Sequence, residues 1–261
     1  MSIEILVATM NQGFDLDVER PAGVSFLIVN QTSSDQAEAA DLYRRRAEAL
    51  GMRVLNFEER GLARSRNRAL AAAKGEICII SDDDVAFHPG IAQAVEAAFK
   101  DRPDVDLISF QAEGAGKTYR QAEHVHSLWT SFNVMSIELA FRRQAVLESG
   151  IVFDERFGLG AQYVSGEENI FVADLIGAGL KAVYVPTAIA SHPPLTSGAQ
   201  LESNKVAVSK GAIIWRIFGG TSYPIALAFA VRKSWKLKMN PVRLLALISR
   251  GWFSVKSQRV T

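Results

Sequence analysis

The stretch GEICIISDDDVAFHPG, residues 75 to 90, runs an apolar segment into three consecutive aspartates, Asp82, Asp83 and Asp84. Adjacent carboxylates repel one another unless something positive neutralises them, and a divalent cation that prefers oxygen ligands does so efficiently. Magnesium or manganese bound in this way shares its coordination shell with substrate phosphates. On an extended backbone Asp82 and Asp84 point to one side and Asp83 to the other. A solvated acidic loop carrying a helix N-cap accounts for the same residues without chemistry.

The elements that must position these aspartates follow from the pattern around them. Apolar runs at IEILVAT, VSFLIVN, RVLNF and EICII read as strands. Between them, Gln36–Leu50 has helical composition with Gly51 as its stop, and GLARSRNRALAAAKG reads as a helix ended by Lys74 and a left-handed Gly75. After Pro89, Ile91, Ala94, Val95, Ala98 and Phe99 keep the spacing of one helix face. Alternating strands and helices predict an α/β fold with a mainly parallel sheet flanked by helices. The aspartates then fall at the carboxyl end of a buried strand, the edge where open α/β sheets bind ligands.

With 261 residues, 48% of them hydrophobic and 22% charged, the chain is long enough for one large core or one core and an appendage. The single cysteine, Cys78, sits inside an apolar run and reads as a buried small hydrophobe. MSIEILVATMNQ has no basic segment followed by an apolar one, which predicts no signal peptide and a cytoplasmic location. Charge divides the chain unevenly: residues 1 to 204 hold 18 Lys/Arg and 28 Asp/Glu, residues 205 to 261 hold 11 Lys/Arg and no carboxylate. Such asymmetry predicts a basic surface for an anionic partner.

The expected units are therefore residues 1–204, an α/β domain, and residues 205–261, a basic, aromatic helical appendage. In the latter, Trp215, Trp235 and Trp252 interleave with Arg216, Arg232, Lys233, Lys236, Lys238, Arg243 and Arg250. Its longest charge-free run, Ile217–Val231, is broken by Gly219, Gly220 and Pro224 and falls short of the ~20 residues a spanning helix needs. Interfacial helices with their apolar faces at a membrane surface fit this composition, as does a helical appendage packed on the core.

GLARSRNRALAAAKGEICIISDDDV resembles the core of a family 2 glycosyltransferase with the GT-A (Rossmann-like) fold, in which a helix rich in Arg and Asn leads to a strand ending in an Asp-x-Asp metal motif. FNVMSIELAFRRQAVLESGIVFDERFG resembles the acceptor-side segment of that family, and SGEENIFVADLIGAG its Glu-Asp motif. The likeness covers approximately residues 3 to 195. It implies an inverting enzyme, dependent on Mn2+ or Mg2+, that uses a nucleotide-sugar donor and a carboxylate base. Asp82 and Asp84 match the ends of the metal motif, His192 the histidine that completes the metal site, and Asp83 a contact to donor ribose or sugar hydroxyls. Glu167 and Glu168 are the candidates for the base. The family has Glu-Asp where this chain has Glu-Glu, and Glu168 aligns with the residue assigned as base. A helix N-terminus also favours both glutamates through its dipole, by about 0.3–1 kcal/mol each.

The same resemblance gives Thr9 and Asn11 to the nucleotide base or ribose, with Asn30 and Gln31 where relatives carry an aspartate that reads the base. From the residues themselves, Arg66 and Asn67 are further donor contacts, with a solvated helix face as the alternative for the arginine, and Trp129 and His126 line the acceptor pocket or are surface residues. The implied partners are a nucleotide-sugar donor and a growing lipid-linked glycan as acceptor; the composition of residues 205–261, to which the likeness does not clearly extend, adds the inner face of the cell membrane. UDP is the commonest donor nucleotide among relatives, with dTDP and GDP open. ATMNQGFD lacks the G-x-G-x-x-G of a nicotinamide enzyme, and no P-loop is present. A nucleic-acid-binding module would leave the aspartates and glutamates without a role, so no nucleic acid is expected. The remaining alternative is an inactive sugar-nucleotide-binding or membrane-associated scaffold.

Overall fold

The computed structural model describes residues 1–114, 116–192, 203–237 and 239–256. Trp235, Lys236 and Lys238 of the basic segment lie outside the residues whose side chains are described. One sheet organises the chain: β1 (Ile3–Met10), β2 (Val24–Gln31), β3 (Arg53–Phe57), β4 (Ile77–Asp82), β5 (Ala86–Phe87), β6 (Leu107–Glu113), β7 (His124–Val125), β8 (Leu139–Arg142) and β9 (Ala182–Ser191). Its order is β3-β2-β1-β4-β8-β6-β9-β5, with β7 also on β9. The first four strands in that order are parallel, β8 is antiparallel to both neighbours, and β6 and β9 are parallel. Strands buried on both faces read as unbroken apolar runs, and for that reason the sequence marks them clearly.

Helices α1 (Ala37–Ala49), α2 (Leu62–Ala72), α3 (Ile91–Lys100), α4 (Leu128–Ser131), α5 (Arg143–Ser149) and α6 (Glu167–Gly177) accompany the sheet. One apolar cluster packs α3 against β1, β4 and β6 through Val95, Ala98 and Phe99. A second packs α2 and α6 on the other face through Leu70, Phe171 and Val172. Gly51 follows α1 at φ 80°, the left-handed stop that the sequence predicts. Gly75 differs from its expected role: α2 already ends at Ala72, and Gly75 is required because a Cβ there would lie 2.7 Å from that of Glu4. Glu4 is itself buried, accepting Arg53 Nη1 at 2.9 Å and the backbone N–H groups of Lys74 and Gly75.

Three further helices, α7 (Ser203–Phe218), α8 (Tyr223–Leu237) and α9 (Pro241–Lys256), form the basic end of the chain. None of the described helices is long and apolar enough to cross a membrane. The boundary expected at 204/205 falls inside α7, and a third core cluster joins Ile213, Ile214, Leu244 and Ile248 to Phe157, Tyr163 and Ile170 of the preceding chain. Arg216 of α7 pairs with Asp174 of α6 at 2.7 Å and with Asp154 at 3.0 Å. Packing of α7 on α9 rests on two glycines: a Cβ at Gly211 would overlap the backbone of Ile248, and one at Gly251 that of Val208.

This crossing predicts that Gly211→Val lowers stability by about 1–3 kcal/mol in urea denaturation, through overpacking at a backbone contact. Gly177→Ala, at an exposed helical position with no atom within 4 Å of the added Cβ, is the control. It is expected to be neutral or to stabilise by about 0.5–1 kcal/mol.

Candidate active site

Strand β4 ends at Asp82, and the chain turns at Asp83 and Asp84 into β5, which pairs antiparallel with the end of β9. The alternation expected of an extended segment therefore stops after Asp82, and the three carboxylates take three partners. Asp82 Oδ1 accepts Arg66 Nη2 at 2.8 Å. Asp83 Oδ2 accepts the Thr9 hydroxyl at 2.6 Å, at a spot so close that a Cβ on Gly13 would lie 2.8 Å from the same oxygen. Asp84 Oδ1 lies 3.1 Å from His192 Nε2, because the β5–β9 pairing brings the end of β9 beside the turn. Burial pushes the Asp83 carboxyl up, the Thr9 hydroxyl partly offsets this, and Asp84 and Asp82 add to the rise.

Arg66 comes from α2, which crosses beneath this edge. Its guanidinium is 2% exposed and forks between Asp82 and Glu167, with Nη1 2.6 Å from Glu167 Oε1. Glu167 is buried beside Gly158, where a Cβ would lie 3.0 Å from its carboxylate. The next residue of α6 has a different environment. Glu168 has no ion pair or side-chain hydrogen bond among the described residues, and burial, followed by the Glu167 charge, pushes its carboxyl up to about 8 against the pull of Arg66 and Lys210.

Lys210 belongs to α7 and was not among the residues the sequence singled out. Together with Val206 it lines the same cleft of about 560 Å³ as Thr9, Gln31, Arg60, Ser65, Arg66, the three aspartates, Met135–Ile137, Leu159, Ser165, Glu167, Glu168 and His192. Burial lowers the Lys210 pKa, opposed by Glu168 and Glu167. The helix is held there by Ile213, which occupies the space a side chain on Gly166 (φ 102°) would need.

The cleft thus joins a sheet edge bearing three acidic groups to a helix that starts with two glutamates. The family model for glycosyl transferase family 2 matches residues 22–158, just over half of the chain. The chain belongs to that family. Solved structures agree on the fold. S. aureus TarS 1-349 in complex with UDP-GlcNAc matches at a TM-score of 0.65 and 16% identity, over 98% of this chain and 79% of TarS 1-349. The mannosyltransferase PcManGT from Pyrobaculum calidifontis, in complex with GDP-Man and Mn2+, matches at 0.54 and 14%, over 99% and 76%. Glucosyl-3-phosphoglycerate synthase from Mycobacterium tuberculosis, in complex with Mg2+ and UDP, matches at 0.53 and 15%, over 83% and 79%. Against a longer TarS chain, the match spans 44% of that chain. No curated protein sequence matches significantly.

For this family 2 transferase, the cleft gathers Thr9, Gln31, Arg66, Asp82, Asp83, Asp84, Glu167, Glu168 and His192 from the expected set. Five expected residues are not brought to its lining. Asn30 is fully buried, accepting the Gln12 N–H and donating to Asn56 Oδ1 at 2.9 Å, so its amide joins strand ends. Asn67 clasps the backbone of Phe153 through both amide atoms. His126 lies beside Ala182, at the opposite end of β9 from His192. It is hydrogen-bonded to Ser109 at 2.7 Å and to Thr130 at 3.0 Å, and burial, with His124 and Lys117 nearby, lowers its pKa to about 4. Trp129 is exposed and packs its ring 4.5 Å from that of Phe218. Asn11 is exposed at φ 51°, just past the end of β1.

Asp82 and Asp84 offer carboxylate oxygens and His192 an imidazole nitrogen, a donor set suited to magnesium or manganese. Among the described residues no three of His, Cys, Asp and Glu converge closely enough to hold a metal ion alone. The residues present fit an ion whose shell is completed by a ligand's oxygens, as hard cations that retain few protein ligands allow.

Arg66→Met should destabilise the fold by about 3–5 kcal/mol in urea denaturation, because it strands Glu167 as a buried, uncompensated charge. Arg66→Lys should recover only part of this, since an ammonium cannot reproduce the fork to two carboxylates.

Proposed function

We propose that the protein is an inverting glycosyltransferase that moves a sugar from a nucleoside-diphosphate sugar, UDP first among the candidates, to a hydroxyl of a growing, lipid-linked glycan at the inner face of the cell membrane. The observation that carries this reading is the contrast between Glu167 and Glu168. Glu167 is neutralised by Arg66, whereas Glu168 is raised toward neutral pH in the same cleft as the aspartates. A carboxylate so tuned is a base matched to a hydroxyl acceptor. As the acceptor oxygen bonds to the anomeric carbon and the bond to the diphosphate breaks, Glu168 takes the hydroxyl proton and the nucleoside diphosphate leaves.

Asp82, Asp84 and His192 would hold Mg2+ or Mn2+, which would neutralise the diphosphate when bound. Asp83 and Thr9 form one hydrogen-bonded unit at the donor end, with Gln31 on the same wall. The complexes of TarS with UDP-GlcNAc, PcManGT with GDP-Man and Mn2+, and the glucosyl-3-phosphoglycerate synthase with UDP and Mg2+ support a nucleotide-sugar donor and a divalent ion for this chain as well.

The membrane part of the reading rests on the outer faces of α8 and α9. Leu227, Val231, Val242 and Phe253 are exposed there beside exposed Arg232, Arg243 and Arg250. Apolar side chains flanked by cations suit an anionic lipid surface, at about 1 kcal/mol per basic residue near the headgroups.

Glu168→Gln should lower turnover at least about 100-fold while leaving metal-dependent nucleotide binding intact by calorimetry. Asp84→Asn should weaken that binding. Wild-type protein that binds nucleotide and metal but turns over no sugar with any acceptor would leave a binding protein in place of an enzyme. With Glu168 as base, kcat/KM should rise with pH up to about 8. The fold holds this carboxyl protonated to higher pH than the unfolded chain does. Its contribution to stability is thus present in acid and lost as pH rises through about 8. Glu168→Gln should accordingly melt at higher temperature than wild type at pH 9. Replacing Arg232, Arg243 and Arg250 together with Gln should reduce sedimentation with phosphatidylserine vesicles, and unchanged, salt-insensitive sedimentation would remove the membrane from the reading.

A further inference from the structure

Beyond the groups used above, two features of the cleft have no function in the transfer step. Lys210 makes no hydrogen bond or ion pair with any described residue, although it lines the cleft that Glu168 and Glu167 share and interacts with both electrostatically. Ser165, immediately before the Gly166 cap of α6, also lines the cleft, and its Oγ is buried with no hydrogen-bond partner. Buried hydroxyls and desolvated ammonium groups are costly to leave unmatched, so a ligand that supplies acceptor oxygens removes a penalty already present. The two arginines that line the cleft differ in this respect: Arg66 is paired with Asp82 and Glu167, and Arg60 is exposed to solvent.

The position of Lys210 decides which substrate it faces. Inversion at an anomeric carbon requires the attacking hydroxyl and the leaving diphosphate on opposite sides of the sugar. The base stands with the hydroxyl. The Val164 N–H donates to Ser209 Oγ at 2.9 Å, which sets the neighbouring Lys210 by Ser165 and the start of α6; with Glu168 of that turn as the base, this is the acceptor's side. An oxygen-rich anion there would be met by the ammonium and the Ser165 hydroxyl at the amino end of α6, whose dipole also favours negative charge.

We infer that Lys210, assisted by Ser165, binds an oxyanion carried by the acceptor close to its reacting hydroxyl, so that the acceptor class is a phosphate- or carboxylate-bearing glycan. This rests on the reading of Glu168 as the base. It gives the basic end of the chain a second role, because α7 then contributes a substrate contact as well as a wall.

The test uses the full-length protein saturated with Mg2+ and whichever of UDP, GDP or dTDP binds. Methyl phosphate and methyl β-glucuronide serve as separate probes, their binding followed by ligand-observed NMR, and each nucleotide affinity is measured in the same samples. Wild type should bind one probe at millimolar concentration, and the better probe distinguishes phosphate from carboxylate. Lys210→Met should weaken that binding at least tenfold with nucleotide affinity unchanged, and Lys210→Arg should retain it. Ser165→Ala, which removes a hydroxyl that has no partner in the free protein, should leave the melting temperature unchanged and still weaken the probe. Nucleotide binding without probe binding that depends on Lys210 overturns this inference and leaves the transferase reading standing. Displacement of the nucleotide by the probe also overturns it, by placing the anion in the diphosphate site. Failure of every nucleotide to bind with Mg2+ overturns the transferase reading and this inference together.

Discussion

One buried guanidinium makes this arrangement of carboxylates possible. Among the described residues, Arg66 alone is hydrogen-bonded to both the end of β4, through Asp82, and the start of α6, through Glu167, at 2.8 and 2.6 Å. A buried ion pair is weak evidence for stability, because removing charges from water costs several kcal/mol per ion. Geometry is the better account of it. Two elements far apart in sequence end in acidic residues at the same place, and without a forked donor between them their mutual repulsion would splay the cleft. Arg66 reaches that point because α2 packs Ala63, Ala69 and Leu70 on the sheet, which turns its arginine inward under the edge. Asn67, the next residue, clasps Phe153, whose ring stacks 4.1 Å from Phe171 of α6. Helix α2 is thus tied to α6 twice, once by charge and once by packing.

The C-terminal helices close the far side of the same cleft. A helix can stand near a loop only as closely as the smallest residues between them allow, and here those are Gly166 against Ile213, then Gly211 and Gly251 between α7 and α9. These glycines let α7 approach until Val206 and Lys210 line the cleft. The Arg216 pairs with Asp174 and Asp154 set how α7 lies along α6. Composition alone reads this segment as a basic surface. The structure divides its charges: Lys210 and Arg216 face carboxylates of the preceding chain, whereas Arg232, Arg243 and Arg250 face outward.

That division explains which parts were legible in the sequence. Strands β1, β2 and β4 announce themselves because parallel strands buried on both faces must be apolar throughout, and the aspartates stand out as the first charges after such a run. Family membership followed from residues that lie close together in sequence. What could not be read was side-chain direction after the strand ends. Asp82, Asp83 and Asp84 diverge because β5 must turn back to pair with β9, a contact between residues about a hundred positions apart. Asn30 and Asn67 illustrate a second limit. An amide at a strand end or on a helix near the site has the composition of a ligand contact, yet here both satisfy backbone or neighbouring amide groups that burial would otherwise leave unpaired. Lys210 shows the converse, since a lysine in a basic, apolar helix carries no local mark that its neighbours in space are glutamates.

The Glu-Glu pair condenses these points. Two identical side chains in the first turn of one helix point about 100° apart, so one turns into Arg66 and the other into the cleft. Burial and an ion pair hold Glu167 as a fixed part of the scaffold; burial without an ion pair leaves Glu168 with an ionisation that its surroundings oppose. Giving two like groups different surroundings is how a single fold obtains a structural carboxylate and a reactive one from the same residue type. On this account the long side chain of Glu168 reaches toward a wall that the helices before α7 do not provide. Helix α7 supplies that wall, and it brings with it Lys210, which interacts electrostatically with Glu168.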